Sequence, residues 1–92
     1  MAILDDSEIE RRLAELDGWQ RSGDAIEKEF KRDEFTGSVE FVSAIVGPAE
    51  DMGHHPDLAI SWDTVTVTIT THSEGGLTAN DFELAQRIDG LA

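Results

Sequence analysis

Two of the three histidines in this 92-residue chain stand side by side, in the stretch Glu50-Asp51-Met52-Gly53-His54-His55-Pro56-Asp57, and the third, His72, follows at a distance. Imidazole gains and loses a proton near neutral pH, so several of them brought to one place suit a reaction that moves protons. Glu50 and Asp57 flank the pair and are candidates to orient an imidazole ring. Three imidazoles with Glu50 are also a conceivable zinc set. No pair of histidines has His-x-x-x-His spacing, however, and neighbouring histidines chelate one ion poorly. With no cysteine in the chain, thiolate nucleophiles, thiolate metal sites and disulfides are excluded.

The elements that must position these residues can be read from periodicity. Phe35, Val39, Val42, Ile45, Val46, Ala49 and Met52 recur at threes and fours, which predicts a long helix opened by Asp33 or Thr36 and closed by Gly53. Pro48 lies inside it and predicts a kink. The paired histidines therefore emerge just beyond the C-terminus of the longest helix. Leu58-Ala59-Ile60-Ser61-Trp62 then predicts a strand, with Asp63 left for a tight turn. Thr64 to His72 alternates, with Val65, Val67 and Ile69 on one face and Thr64, Thr66, Thr68, Thr70 and His72 on the other. Trp62 alternates with Leu58 and Ile60 and suits core or pocket wall equally. After Gly75-Gly76, Thr78 and Asp81 form a capping box with a Leu77/Phe82 staple. Phe82, Ala85, Ile88 and Leu91 carry a last helix to the end. That position accounts for Asp81 without chemistry.

Upstream, Ser7 and Glu10 match a capping box before a helix over 7–17 with Ile9, Leu13 and Leu16 on one side. Trp19-Gln20-Arg21 and Ala25 to Phe30 flank Ser22-Gly23-Asp24 as a hairpin, with Ile26 and Phe30 on its buried face and Trp19 in the core. The order α-β-β-α-β-β-α predicts one α+β domain over residues 1–92, a four-stranded antiparallel sheet with three helices packed on one face.

Charge excludes whole classes of partner. Asp and Glu number 20 against 7 Lys and Arg, a net of −13 spread along the chain. Such a field repels nucleic-acid phosphates and anionic membrane surfaces. No apolar run approaches the roughly 20 residues that span a bilayer, and the N-terminal residues lack a signal-peptide pattern. The expectation is a soluble cytoplasmic protein.

The motif as a whole runs Glu50, three residues, His54-His55-Pro56, five residues, Trp62, nine residues, His72, eight residues, Asp81. With Phe41-Val42, Ala49-Glu50, Leu77-Thr78 and Leu84-Ala85 around it, the chain resembles the pterin-4a-carbinolamine dehydratase family from about Leu13 to its end. The resemblance implies dehydration of 4a-hydroxytetrahydrobiopterin, or a related reduced pterin, to the quinonoid dihydropterin, in tetrahydrobiopterin recycling. His54, His55 and His72 would be the catalytic set, and Glu50, Pro56, Asp57, Trp62 and Asp81 the substrate-binding set. No metal or organic cofactor is implied. The resemblance further implies a homodimer or homotetramer, and a sheet this small leaves an edge strand for such pairing. Because scaffolds are reused, a non-catalytic dimerisation or assembly module of the same fold is the alternative.

Overall fold

The alternation of Thr64 to Ile69 decides the centre of the molecule. Val65, Val67 and Ile69 have no exposed surface, while the threonines between them are half-buried on the other face. Burying each such aliphatic side chain stabilises the fold by roughly 1.5–3 kcal/mol. The structure is a computed structural model and describes residues 2–92. Its elements in order are α1 (Asp6–Leu13), β1 (Gln20–Ser22), β2 (Ala25–Lys31), α2 (Phe35–Met52), β3 (Asp57–Ser61), β4 (Thr64–Ile69) and α3 (Ala79–Asp89). The strands form one antiparallel sheet in the order β1-β2-β4-β3, so the expected α+β architecture is the observed one.

The register carries one face of the sheet into the core. Ile26 pairs with Ile69, and Phe30 with Val65. Against these strands pack Ile9 of α1, Phe41 and Ile45 of α2, and Phe82, Leu84, Ala85 and Ile88 of α3. Trp19 is buried edge-on to Phe30, with centroids 6.0 Å apart. Its indole N–H donates to both carboxylate oxygens of Asp89, each at 3.1 Å. Lys28 donates to Asp89 at 3.0 Å and to the Asp17 carbonyl at 2.7 Å. The last residue of α3 is thereby tied to the β1–β2 hairpin.

Several local expectations are corrected. The first helix begins one residue earlier, because the Asp5 carboxylate accepts from the Glu8 N–H at 2.9 Å and Ser7 lies inside the helix. That helix ends at Leu13, where the hydrogen bonds shorten to Glu15 N–H on the Arg12 carbonyl and Leu16 N–H on that of Leu13. Glu34 caps α2 through its backbone alone, so neither Asp33 nor Thr36 is the cap. The buried stripe of α2 is Ser38, Phe41, Ile45 and Ala49, with Val42 and Met52 half-buried. Phe35, Val39 and Val46 lie on the adjoining arc and are exposed. Pro48 lies within α2, as expected, and the helix runs on past it to Met52. Helix α3 ends at Asp89, so Leu91 lies beyond it.

The turn between β3 and β4 uses Trp62 as well as Asp63. Trp62 has φ 53°, a left-handed conformation unfavourable for a bulky residue, and is 70% exposed. The Ser38 hydroxyl donates to its carbonyl at 2.8 Å, pinning the turn to α2. Trp62 therefore lies outside the core. The strand β4 stops at Ile69, and His72 lies in a turn over residues 72–75, not at a strand end.

Candidate functional site

Gly53 sets the direction in which the histidines leave α2. It adopts φ 61°, ψ 33°, the left-handed conformation that glycine reaches without a Cβ penalty. Its N–H donates to the Glu50 carbonyl at 3.2 Å, and the N–H of His54 reaches back to Ala49 at 3.0 Å. These are the two bonds of a Schellman termination. The expected glycine cap is present, and it fixes the backbone of His54 directly.

The two neighbouring imidazoles then diverge. His54 turns inward: its side chain is 11% exposed, and its Nε2 lies 2.6 Å from Oδ1 of Asp81, which has no exposed surface. Asp81 sits in the first turn of α3, where its Oδ2 accepts from the backbone N–H of the N-cap Thr78 at 2.8 Å. The same oxygen accepts from the Thr71 hydroxyl at 2.8 Å, and the Thr71 and Thr78 hydroxyls are themselves 2.8 Å apart. A buried carboxylate is costly unless it is hydrogen-bonded, and here all of its bonding comes from donors aimed at it. A carboxylate accepts and does not donate, so Nε2 of His54 carries the proton of this contact, and in the neutral ring the lone pair is then on Nδ1.

His55 turns outward. Its Nε2 lies 2.6 Å from Oε2 of Glu50, and both side chains are mostly exposed. Exposed ion pairs contribute at most about 1 kcal/mol, so this imidazole is held far more loosely than His54. His55, Glu50 and Pro56 border an apolar groove of about 260 Å³ walled by Val42, Ile45, Val46, Ala49 and Leu58.

The remaining expected site residues are spread more widely. His72 is exposed and follows directly on Thr71, so its backbone lies one residue from the Asp81 cluster. Asp57 is exposed at the start of β3, opposite Thr68. Asp81 is wholly enclosed and makes its contacts with His54, Thr71 and Thr78, which leaves it no surface to offer a ligand. Trp62 lies at the far end of β3 from Pro56, about 20 Å away at roughly 3.3 Å per residue. Among the described residues no group of three or more His, Asp or Glu side chains is arranged to hold a metal ion.

Thr71 is the participant that the sequence reading passed over. A signal for it exists. Val65, Val67 and Ile69 define the inward parity of β4, and Thr71 continues that parity as a polar residue. An inward polar residue at the end of an aliphatic face must find a partner.

Comparison with known proteins bears on the family and the fold. The family model for pterin 4 alpha carbinolamine dehydratase matches residues 2–91. A protein of Thermosynechococcus vestitus, provisionally named pterin-4-alpha-carbinolamine dehydratase, is 51% identical over 89 residues, covering 97% of this chain and 94% of its own. One of the same provisional name from Sulfolobus acidocaldarius is 48% identical over 88 residues, covering 96% and 97%. The crystal structure of a transcriptional coactivator/pterin dehydratase from Brucella melitensis superposes with a TM-score of 0.94 at 34% identity, covering 99% of each chain. A pterin dehydratase-like RuBisCO assembly factor of the alpha-carboxysome shares the fold, with a TM-score of 0.66 at 23% identity over 80% of this chain and 86% of its own.

Proposed function

Because the chain belongs to the pterin 4 alpha carbinolamine dehydratase family, we propose that it dehydrates 4a-hydroxytetrahydrobiopterin, or a related reduced pterin, in the cytoplasm as part of tetrahydrobiopterin recycling. The reaction breaks the bond from C4a to its hydroxyl oxygen. The lone pair of the adjacent ring nitrogen forms the new double bond, that nitrogen gives up its proton, and the hydroxyl leaves with a proton as water. One group must accept the first proton and another supply the second. Positioned side chains accelerate each such transfer by typically about a hundred- to ten-thousandfold.

The observation that carries the reading is the unequal setting of the two adjacent imidazoles. His54 is buried and fixed on Asp81, while His55 is exposed and loosely held by Glu50 at the rim of an apolar groove. Such a pair offers one imidazole held in a fixed orientation through Nε2 and one exposed imidazole at the groove. His72, on the turn after Thr71, is the third member of the set. Pro56 and Asp57 would contact the pterin, and Glu50 would act through His55. Asp81 supports substrate binding only indirectly, through His54.

Trp62 reaches such a site only from a second copy. Strand β3 is one of the two edges of the sheet, and its residues are all exposed. Antiparallel two-fold pairing centred on Ala59 would set Trp62 of one copy opposite Pro56 of the other. A homodimer, or a tetramer built from two, is thus part of the proposal.

The competing reading is a non-catalytic assembly module. It is favoured by the exposed apolar residues Phe35, Val39 and Val46 of α2 and Leu58 and Ile60 of β3. Stopped-flow dehydration of a chemically generated 4a-hydroxypterin separates the two. The enzyme reading expects acceleration that His54→Ala, His55→Ala and His72→Ala each reduce. Turnover with the native chain no faster than with His55→Ala selects the assembly module.

A further inference from the structure

We propose that Thr71 is a positioning residue that holds both ends of the site at once: its hydroxyl orients Asp81, and through it His54, while its backbone closes the turn that carries His72. The inference rests on the proton-transfer reading above. Thr71 is 7% exposed and occupies the inward parity of β4, where Val65, Val67 and Ile69 are aliphatic. Valine would match its shape and continue that face. A hydroxyl buried there is unfavourable unless it is bonded, so its packing gives no reason for it.

The direction of the hydrogen bonds follows from counting protons. Thr71 has one hydroxyl hydrogen, which goes to Oδ2 of Asp81 at 2.8 Å. The contact between the two threonine hydroxyls must then be made by the Thr78 O–H donating to the Thr71 oxygen. The result is a one-way chain, Thr78 to Thr71 to Asp81. With the Thr78 N–H also on Oδ2, that oxygen is occupied and Oδ1 is left facing His54. The chain thereby presents Oδ1 to the His54 Nε2–H and leaves Nδ1 as the nitrogen that can take a proton.

The backbone of the same residue serves His72. The Thr71 carbonyl accepts from the N–H groups of Glu74 and Gly75, each at 3.0 Å, and its own N–H donates to the Gly76 carbonyl at 3.3 Å. The turn over residues 72–75 therefore begins and ends on Thr71. A shift of this residue displaces His72 through the chain and His54 through Asp81 together.

The test uses Thr71→Val, which keeps the shape and removes the hydroxyl, and Thr71→Ser, which restores it. Turnover is measured with kcat and KM separated, and the His54 tautomer is read from imidazole ¹⁵N shifts. Thr71→Val should lower kcat by about tenfold or more with little change in KM, and should convert His54 from the Nε2–H form to a mixture of tautomers. Thr71→Ser should recover most of both. A Thr71→Val protein with native turnover and a native His54 tautomer overturns the proposal. So does a Thr71→Ser protein as impaired as Thr71→Val, because the methyl packing would then be the cause. If the native chain has no dehydratase activity but Thr71→Val still shifts the tautomer, the positioning role stands and the assigned reaction fails.

Discussion

Replacing Asp81 by Asn tests whether one buried carboxylate sets the chemistry of His54. The change keeps the shape and removes the charge. In the native chain Oδ2 accepts two donors, the Thr78 N–H and the Thr71 O–H, and Oδ1 faces Nε2 of His54 at 2.6 Å. The asparagine oxygen can keep the first two donors. Its NH2 group then confronts the His54 Nε2–H, donor against donor. The conflict is relieved if His54 moves its proton to Nδ1, so that Nε2 accepts from the amide. Hydrogen bonds to a charged partner contribute about 1.5–3 kcal/mol and neutral ones about 0.5–1.5, so weakening three of them costs about 3 kcal/mol. Relief from burying an ion returns part of that. A net loss of about 2 kcal/mol is expected, which lowers Tm by roughly 8–16 °C in a domain of this size. Turnover should fall further, by about a hundred- to ten-thousandfold, because Nδ1 would present a proton where the proposed reaction needs a lone pair. Thermal unfolding, imidazole ¹⁵N shifts and stopped-flow turnover read the three effects separately. An Asp81→Asn protein that is folded, keeps the proton on Nε2 and turns over at the native rate would refute the assignment of Asp81 as the group that orients His54.

Two further outcomes follow from local geometry. A Cβ at Gly53 would meet nothing within 4 Å, so Gly53→Ala suffers only from the left-handed backbone. The cost should be about 1 kcal/mol, or roughly 4–8 °C in Tm, with reduced turnover because both histidines leave α2 through this residue. Gly53→Asn should lose less, since asparagine tolerates that conformation, and a Gly53→Ala protein as stable as the native one would contradict the geometry. In α1, hydrogen bonds from Arg11 and then Arg12 hold the Glu8 carboxyl down from 4.5 to about 2. A carboxyl lowered in the folded state stabilises it fully above the unfolded value, and that contribution is lost as pH falls through the folded one. Urea midpoints compared between pH 5 and pH 2 should therefore fall more for the native chain than for Glu8→Gln, less so in high salt. Equal falls would show that these pairs carry no stability.

The long-range roles of individual residues were less legible than the elements that bear them. Asp81 was accounted for as a capping-box residue, and it is one, since its Oδ2 accepts from the Thr78 N–H. That its other oxygen meets His54, 27 positions away in sequence, could not be read from the spacing. Trp62 fitted the alternation of β3 as far as the sequence went. A two-residue turn took it out of the strand, because pairing Ser61 with Thr64 leaves Trp62 and Asp63 to reverse the chain. The apolar stripe of α2 was wider than the face the sheet could cover. Which of its members are buried depended on how the helix is rolled, so Phe41 went inward and Phe35 stayed in solvent.

The sequence by itself determined the order of the elements, the inward face of β4, the Gly53 termination that delivers His54 and His55, and the family motif. All of these rest on periodicity, on backbone conformations confined to a few neighbours, or on residue types at set spacings. Tertiary structure alone decided that adjacent His54 and His55 part company, one to a buried carboxylate and one to an exposed one. It also decided that Thr71 and Asp81 stand behind the first of them. Those choices depend on where the N-terminus of α3 lands against the end of β4. That landing is set by the packing of Leu77, Phe82, Leu84 and Ile88 into a shared core, a cooperative outcome that no local pattern encodes.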